Sequence, residues 1–343
     1  MRYVCLAVLA LALAPLTGCA QQTPARPPAP RAQARASTSI ICEALLGRFL
    51  GLPAEATKGK SDTPIAGRWW VRRCDFGRSG SELFVRLGGP AWFWVDRRDP
   101  PFHLRDHVYF RVDADLRGNI STRIGLKDGV ASLWFRAARA NVQVEPLGRI
   151  HPSSDNVAVS LVRFLTSPIP TLDVDSRARE QLDREVTGRF ESALSRGFTM
   201  VYDIGRGQPD FGLGLLPAGE SPEHPFADGR SWFTNERLIA APGGVHVLGP
   251  FGPDEPLALE ARITSGSGLA WRAVCASDLE RGFAPVESGE PGSIPPKQIL
   301  SAGVLSGTGI RTTTLSPASC PLYLLVSPVG EEISRAAIRV RHS

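Results

Sequence analysis

Residues that could carry out chemistry are few and scattered in this 343-residue sequence. Of six histidines, His103 and His107 stand four residues apart, a spacing that lets two histidines hold a metal from one helix face. Pro100 and Pro101 precede them, however, and an alternating strand pattern follows. We therefore predict a solvated loop at this position and no metal site.

The motifs of common enzyme classes are missing. The sequence has no GxSxG elbow and no P-loop, and Asp210 stands where a dinucleotide loop starting at Gly205 would have its third glycine. Asp113 and Asp115 fall on the polar face of a predicted strand, which is more typical of solubility than of acid-base catalysis. We predict a protein that is not an enzyme, with no catalytic residue and no cofactor.

The N-terminus has the form of an export signal. Residues 1–18 contain one basic residue, Arg2, and the apolar run Tyr3–Leu13, which is too short to span a bilayer as a stable helix. Leu16-Thr17-Gly18-Cys19 follows and resembles the lipobox of bacterial lipoproteins. The resemblance implies that the signal peptide is removed and that Cys19 is lipidated. Ala20, in place of an aspartate, implies by the same resemblance the outer membrane, facing the periplasm.

A tether at residues 19–37 follows the lipobox. Gln21–Ala36 is rich in Pro, Ala and Arg and lacks apolar periodicity, as extended linkers do. Four arginines precede residue 36, so the formal net charge of +5 falls to 5 − 4 = +1 for the remaining chain. A nearly neutral surface gives little support for nucleic-acid binding, and we predict membrane contact through the lipid anchor.

The four remaining cysteines predict two disulfides. Export places them in an oxidising compartment, and no CxxC occurs, so neither a zinc ribbon nor a thioredoxin-like site is expected. Three connectivities are open. The large gap between the pairs favours Cys42–Cys74 and Cys275–Cys320.

The longest regular pattern, Val108–Leu147, predicts a hairpin of two long strands. Apolar and polar residues alternate on both sides of the turn at Lys127-Asp128-Gly129, which gives each strand one dry and one wet face. A phase slip at Ala137-Ala138 predicts a β-bulge. Each arm is about three times as long as the usual strand of five or six residues, so its dry face needs a long cover.

That cover is predicted to be a helix at Asp175–Arg196, which has an apolar stripe along one side and charged residues elsewhere. A shorter helix is predicted at Thr38–Leu52 and a strand at Glu82–Leu87, with a turn at Gly88-Gly89-Pro90. A further strand is predicted at Val157–Leu165. The aromatic group Trp69, Trp70, Trp92, Phe93 and Trp94 favours core packing, with a sugar-stacking platform or a seat at the membrane interface as alternatives.

These elements predict an α+β fold in two domains. Residues 38–220 form a long curved antiparallel sheet packed on an amphipathic helix, and residues 221–343 form an all-β, sandwich-like domain of short alternating strands. The boundary is placed in the Gly- and Pro-rich segment around residue 220.

Two functions are compatible with this architecture. Long bent strands around a helix resemble the tubular lipid-binding (TULIP-like) superfamily over about Ile40–Gly214, in architecture alone. The resemblance implies a lipid or another hydrophobic ligand, although a packed core gives the same pattern. The lining residues would be those of the dry face: Phe110, Val112, Leu116, Ile120, Ile124, Leu133 and Phe135. The alternative is a scaffold or adhesion lipoprotein that binds a protein or an envelope polysaccharide through the C-terminal β domain.

Overall fold

The fold is built from two β-sheets. The computed structural model describes residues 41–53, 64–99, 102–123, 130–147, 184, 186–188, 190–191, 194–203, 209–213, 225–226, 233–254, 256–287 and 298–343. Cys19, the lipobox, the tether and the predicted strand Val157–Leu165 lie outside these ranges. Among the described residues, no helix combines the length and the apolar character that crossing a membrane requires.

Sixteen strands and three short helical segments are described. The strands are β1 (Phe49–Pro53), β2 (Ile65–Trp70), β3 (Arg73–Ser79), β4 (Glu82–Asp99), β5 (Phe102–Arg123), β6 (Val130–Leu147), β7 (Phe198–Asp203), β8 (Pro209–Leu213), β9 (Thr234–Ala240), β10 (His246–Phe251), β11 (Leu257–Ser265), β12 (Gly268–Cys275), β13 (Ser301–Ser306), β14 (Gly309–Leu315), β15 (Leu322–Pro328) and β16 (Ser334–His342). The helical segments are α1 (41–45), α2 (described helical residues within 184–195) and α3 (Ala276–Glu287).

The predicted α+β fold class is wrong, because the described chain is mostly β. One sheet has twelve strands, in the order β14-β11-β16-β9-β2-β4-β5-β6-β7-β8 with β1 beside β2 and β3 beside β4, and the other has the order β10-β15-β12-β13. The α2 segment contributes Val186, Phe190 and Leu194 to the core but is a minor part of the fold. The prediction failed because periodicity within one segment cannot reveal that distant segments join the same sheet by backbone pairing.

The two long strands of the hairpin pair as predicted along Tyr109–Leu147, and β5 begins earlier, at Phe102. The predicted β-bulge is confirmed, since Arg117 pairs with Arg139 and Gly118 with Ala137, so that Ala138 is left over. A bulge of this kind increases the twist of the sheet.

Two local predictions are wrong. The segment Gly88-Gly89-Pro90 is not a turn, because β4 runs through it and stays paired with β5. The helix predicted at Thr38–Leu52 is helical in its described part only over 41–45. Gly47 then adopts a positive φ of 78°, and Phe49 starts β1, where it faces Trp70 across the strand pair.

Strand β15, in the interior of the four-stranded sheet, is buried on both faces. One face packs with β9, β11, β14 and β16 around Leu259, Leu324 and Ile338. The other face packs against a second group, which we call the junction cluster: Phe49, Trp70, Trp92, Val247, Val274, Leu279, Phe283, Tyr323 and Leu325. Burial on both faces explains why the sequence of β15 is a continuous apolar run and does not alternate between apolar and polar residues.

The twelve-stranded sheet joins the two halves of the chain. β2 lies beside β9 in parallel, with Ile65 opposite Leu238, so strands from both sides of residue 220 belong to one sheet. The junction cluster adds side-chain packing between the same halves. The domain boundary itself stays a prediction.

Both predicted disulfides are confirmed. Cys42–Cys74 ties α1 to β3, and Cys275–Cys320 ties the end of β12 to the segment before β15. Bonds that close loops of this length typically stabilise a fold by about 2–4 kcal/mol.

Candidate functional site on the polar face of the long strands

The dry face of the hairpin lies in the core of the N-terminal half. Four of the predicted ligand-lining residues are completely buried: Phe110, Val112, Leu116 and Phe135. Ile120 and Leu133 are partly buried and pack against the same core. Ile124 lies outside the described residues. The six described residues therefore belong to one hydrophobic core.

The wet face carries two rows of polar residues that run across β3, β4, β5 and β6. In the first row, Asp75 faces Arg86 and Arg86 faces Asp115, which in turn faces Asn141. Arg86 lies between two carboxylates, with 3.6 Å from Nη1 to Asp75 Oδ2 and 3.5 Å from Nε to Asp115 Oδ2. The row therefore alternates hydrogen-bond acceptors and donors across the sheet.

Gly88 creates a depression in the second row, which contains Arg73, Gly88, Asp113 and Gln143. Arg73 Nη2 reaches over β4 to Asp113 Oδ1 at 2.5 Å. A Cβ on Gly88 would lie 2.4 Å from that oxygen and 2.9 Å from the guanidinium. The absent side chain is thus what allows an ion pair to form across an intervening strand.

These rows form the floor of a concave site that we call the polar groove, with a volume of about 580 Å³. Its lining residues are Leu46, Arg72, Arg73, Cys74, Asp75, Arg86, Leu87, Gly88, Asp113, Ala114, Asp115, Asn141 and Gln143. Three arginines and three aspartates are among them, so the formal charges cancel.

The walls of the polar groove are held in place by other elements. The Cys42–Cys74 disulfide fixes α1 beside β3, and Leu46, which follows α1, exposes 53% of its surface at the rim. Arg72 Nη1 binds Glu280 Oε1 of α3 at 3.1 Å, which connects the edge of the groove to the C-terminal half.

Beyond the polar groove, the same face of β2, β4 and β5 is covered by the C-terminal half and holds buried polar groups. Arg68 pairs with Glu236 of β9 and is almost completely buried. Burial lowers the pKa of His107 to about 4, although a hydrogen bond to the backbone of Ala241 acts in the opposite direction and raises it. Burial and, to a smaller extent, nearby Arg68 lower the pKa of His246 to about 3.

The prediction of a solvated loop at His107 is wrong, because this residue lies in a strand and its ring is buried. His107 lies in β5 opposite Trp94, with ring centroids 5.1 Å apart, and the turn after β9 covers it so closely that a Cβ on Gly244 would overlap its ring. Within the described ranges no group of three or more His, Cys, Asp and Glu residues is arranged to hold a metal. Trp69, Trp70 and Trp92 are buried, which agrees with core packing.

A second buried polar group lies in the C-terminal half. Glu260 of β11 accepts hydrogen bonds from Arg339 Nε at 2.8 Å and Arg341 Nε at 2.9 Å. Phe226 covers Arg339 from above, with 4.7 Å between the guanidinium carbon and the ring centroid. The carboxylate of Glu260 is thus already hydrogen-bonded to Arg339 and Arg341, and we assign this buried polar group a structural role.

Sequence reasoning placed Asp113 and Asp115 on the wet face but missed the rest of the polar groove. Arg86 and Asn141 follow the same alternation and could have been added from it. Gly88 was hidden because two glycines and a proline are typical of a turn.

Neither a scan against protein-family models nor a search of curated proteins finds a match for this chain.

Proposed function

We propose that the chain is a lipid-anchored protein of the bacterial cell envelope with a non-catalytic binding role, and that the polar groove holds its ligand. The observation that carries the binding site is the concave, charge-balanced face of β3–β6, whose side chains are ordered by cross-strand pairs. Pre-ordered side chains lower the entropic cost of binding.

The anchor is supported by independent features of the sequence. The lipobox ends at Cys19, and a Pro-, Ala- and Arg-rich tether follows. All four cysteines of the described chain are paired in disulfides, which persist in oxidising compartments outside the cytoplasm. The proposed location is the outer membrane, with the protein facing the periplasm.

A hydrophobic ligand under the long strands is the alternative. The apolar residues proposed for it are many, but the described ones pack against each other, with Phe110, Val112, Leu116 and Phe135 fully buried. A lipid would have to separate these contacts before it could enter. Packing therefore favours the polar groove over the dry face.

The anchor is tested by the substitution Cys19→Ala. We expect the variant to incorporate no radiolabelled fatty acid, and to be either soluble or stalled as a precursor that keeps residues 1–18. Cys5→Ala is the matched control, because Cys5 lies in the signal peptide, and it should keep the label. Labelling of the Cys19→Ala protein would overturn the anchor.

The binding role is tested with the mature chain from Ala20 to Ser343, which lacks both the signal peptide and the lipid site. We expect it to sediment with washed cell-envelope fragments, and we expect an organic extract of the purified protein to contain no stoichiometric lipid. A lipid in that extract together with no sedimentation would favour the hydrophobic ligand.

A further inference from the structure

We infer that the ligand of the polar groove is a neutral, extended saccharide. This inference rests on the proposed binding role and adds the chemical class of the ligand. Three properties of the groove lead to it: the balance of charge, the alternation of donors and acceptors, and the shape of the floor.

The charge balance selects against ionic ligands. Arg73 is paired with Asp113, and Arg86 lies between Asp75 and Asp115. A polyanion would be repelled by the aspartates and would have to separate them from the arginines, and a polycation would meet the opposite obstacle. A neutral ligand can bind without breaking either set of pairs.

The polar groups fit ligands that both donate and accept hydrogen bonds. The aspartates and the amide oxygens of Asn141 and Gln143 accept, while the guanidinium groups of Arg73 and Arg86 donate. Sugar hydroxyls do both. In the first row, acceptors and donors alternate from strand to strand, so consecutive hydroxyls along a chain of sugars meet a suitable partner at each step.

The shape of the groove fits an extended chain. Four strands at the usual spacing make each row about 14 Å long, so several linked sugar residues can lie along it. Gly88 keeps the middle of the floor low, and exposed Leu46 offers an apolar contact at the rim for the C–H face of a sugar ring. The groove thus has an elongated floor with an apolar edge.

The test uses the mature chain from Ala20 to Ser343 on a printed array that carries neutral and acidic oligosaccharides side by side. We expect binding to neutral spots. In the same background, Asp113→Asn removes the partner of Arg73, and Gly88→Leu fills the floor without changing the charge. Asp113→Asn should weaken binding about tenfold, as expected when a hydrogen bond to a charged group is lost. Gly88→Leu should weaken binding because its side chain occupies the floor of the groove.

Glu145→Gln is the matched control, because it removes the Arg111–Glu145 pair (3.3 Å) on the same face of the sheet but outside the polar groove. It should bind like the parent. Thermal melting of each variant checks folding, and Asp113→Asn keeps the test valid if Gly88→Leu does not fold.

Three results would overturn the inference: no neutral spot is bound, only acidic spots are bound, or Asp113→Asn binds as tightly as Glu145→Gln. If the array is negative while the parent still sediments with envelope fragments, the ligand class is wrong and the binding role stands. If both fail, the proposed function fails with it.

Discussion

Ile120 is the residue at which a packed core and a lipid groove respond differently to added bulk. It lies on β5 and packs, partly buried, against the core that contains Leu116 and Phe135. In a close-packed interior the larger ring of Ile120→Trp forces strain of about 1–3 kcal/mol. We therefore expect the melting temperature of this variant to fall.

The control for this change is Asn119→Trp, at the neighbouring, exposed position of the same strand. It adds the same ring on the opposite face and should leave the melting temperature nearly unchanged. An Ile120→Trp protein that melts like the parent, but loses a lipid that the parent carried, would support a ligand under the long strands instead.

At the scale of elements, the turn between β9 and β10 closes over β5 and buries two imidazoles. Imidazoles in the unfolded chain have a pKa near 6.5, whereas burial lowers the pKa of His107 to about 4 and that of His246 to about 3. As the pH falls below about 6.5, protons bind first to the unfolded chain. The free energy of unfolding should therefore decrease from about pH 6.5 down to about pH 3, and these two groups leave it constant above that range.

The expected slope is at most about 1.4 kcal/mol per pH unit for each histidine. Urea denaturation at a series of pH values measures it. His107→Gln should reduce the slope, because an amide cannot take up the proton. An unchanged slope in His107→Gln would contradict the assignment.

A second element-scale feature is the α1 segment, which the Cys42–Cys74 bond holds at the edge of the polar groove. Gly47 ends this segment, and its carbonyl accepts a hydrogen bond from Tyr323 Oη of β15 at 3.2 Å. One wall of the groove is thereby fixed both to β3 and to the C-terminal half.

At the scale of the whole molecule, the described parts of the two halves should unfold together. Their contact includes the junction cluster, in which Phe283 of α3 lies 5.0 Å from Trp92 and 5.3 Å from Trp70 between ring centroids. It also includes the ion pair between buried Arg68 and partly buried Glu236, 168 residues apart. Packing of this extent predicts a single calorimetric transition.

Glu236→Gln tests this junction. The change leaves the guanidinium of Arg68, only 3% exposed, without its carboxylate. Removing one partner of a fully buried pair typically costs about 3–5 kcal/mol, which is an upper bound here because the side chain of Glu236 is 22% exposed. We expect one transition at a lower temperature. Glu280→Gln removes the exposed pair with Arg72 in the same junction and should cost no more than about 1 kcal/mol. Two separate transitions in either variant would show that the halves are independent.

The sequence alone determined the features that depend on neighbouring residues. Period-two alternation predicted the long hairpin, and the phase slip at Ala137-Ala138 predicted its bulge. Spacing along the chain favoured the two disulfide pairs that form. Alternation also put Asp113 and Asp115 on the polar face, because side chains on a strand must point to opposite sides in turn.

Only the tertiary structure decided what those faces meet. Gly88 is a low point in the polar groove rather than a turn, because β4 continues through it and stays paired with β5 from Leu83 to Asp99. His107 is buried because a turn more than 130 residues later folds over it. The joining of the two halves in one sheet likewise depends on β2 lying beside β9. Such contacts join residues far apart in the chain, and neither periodicity nor spacing within a segment carries information about them.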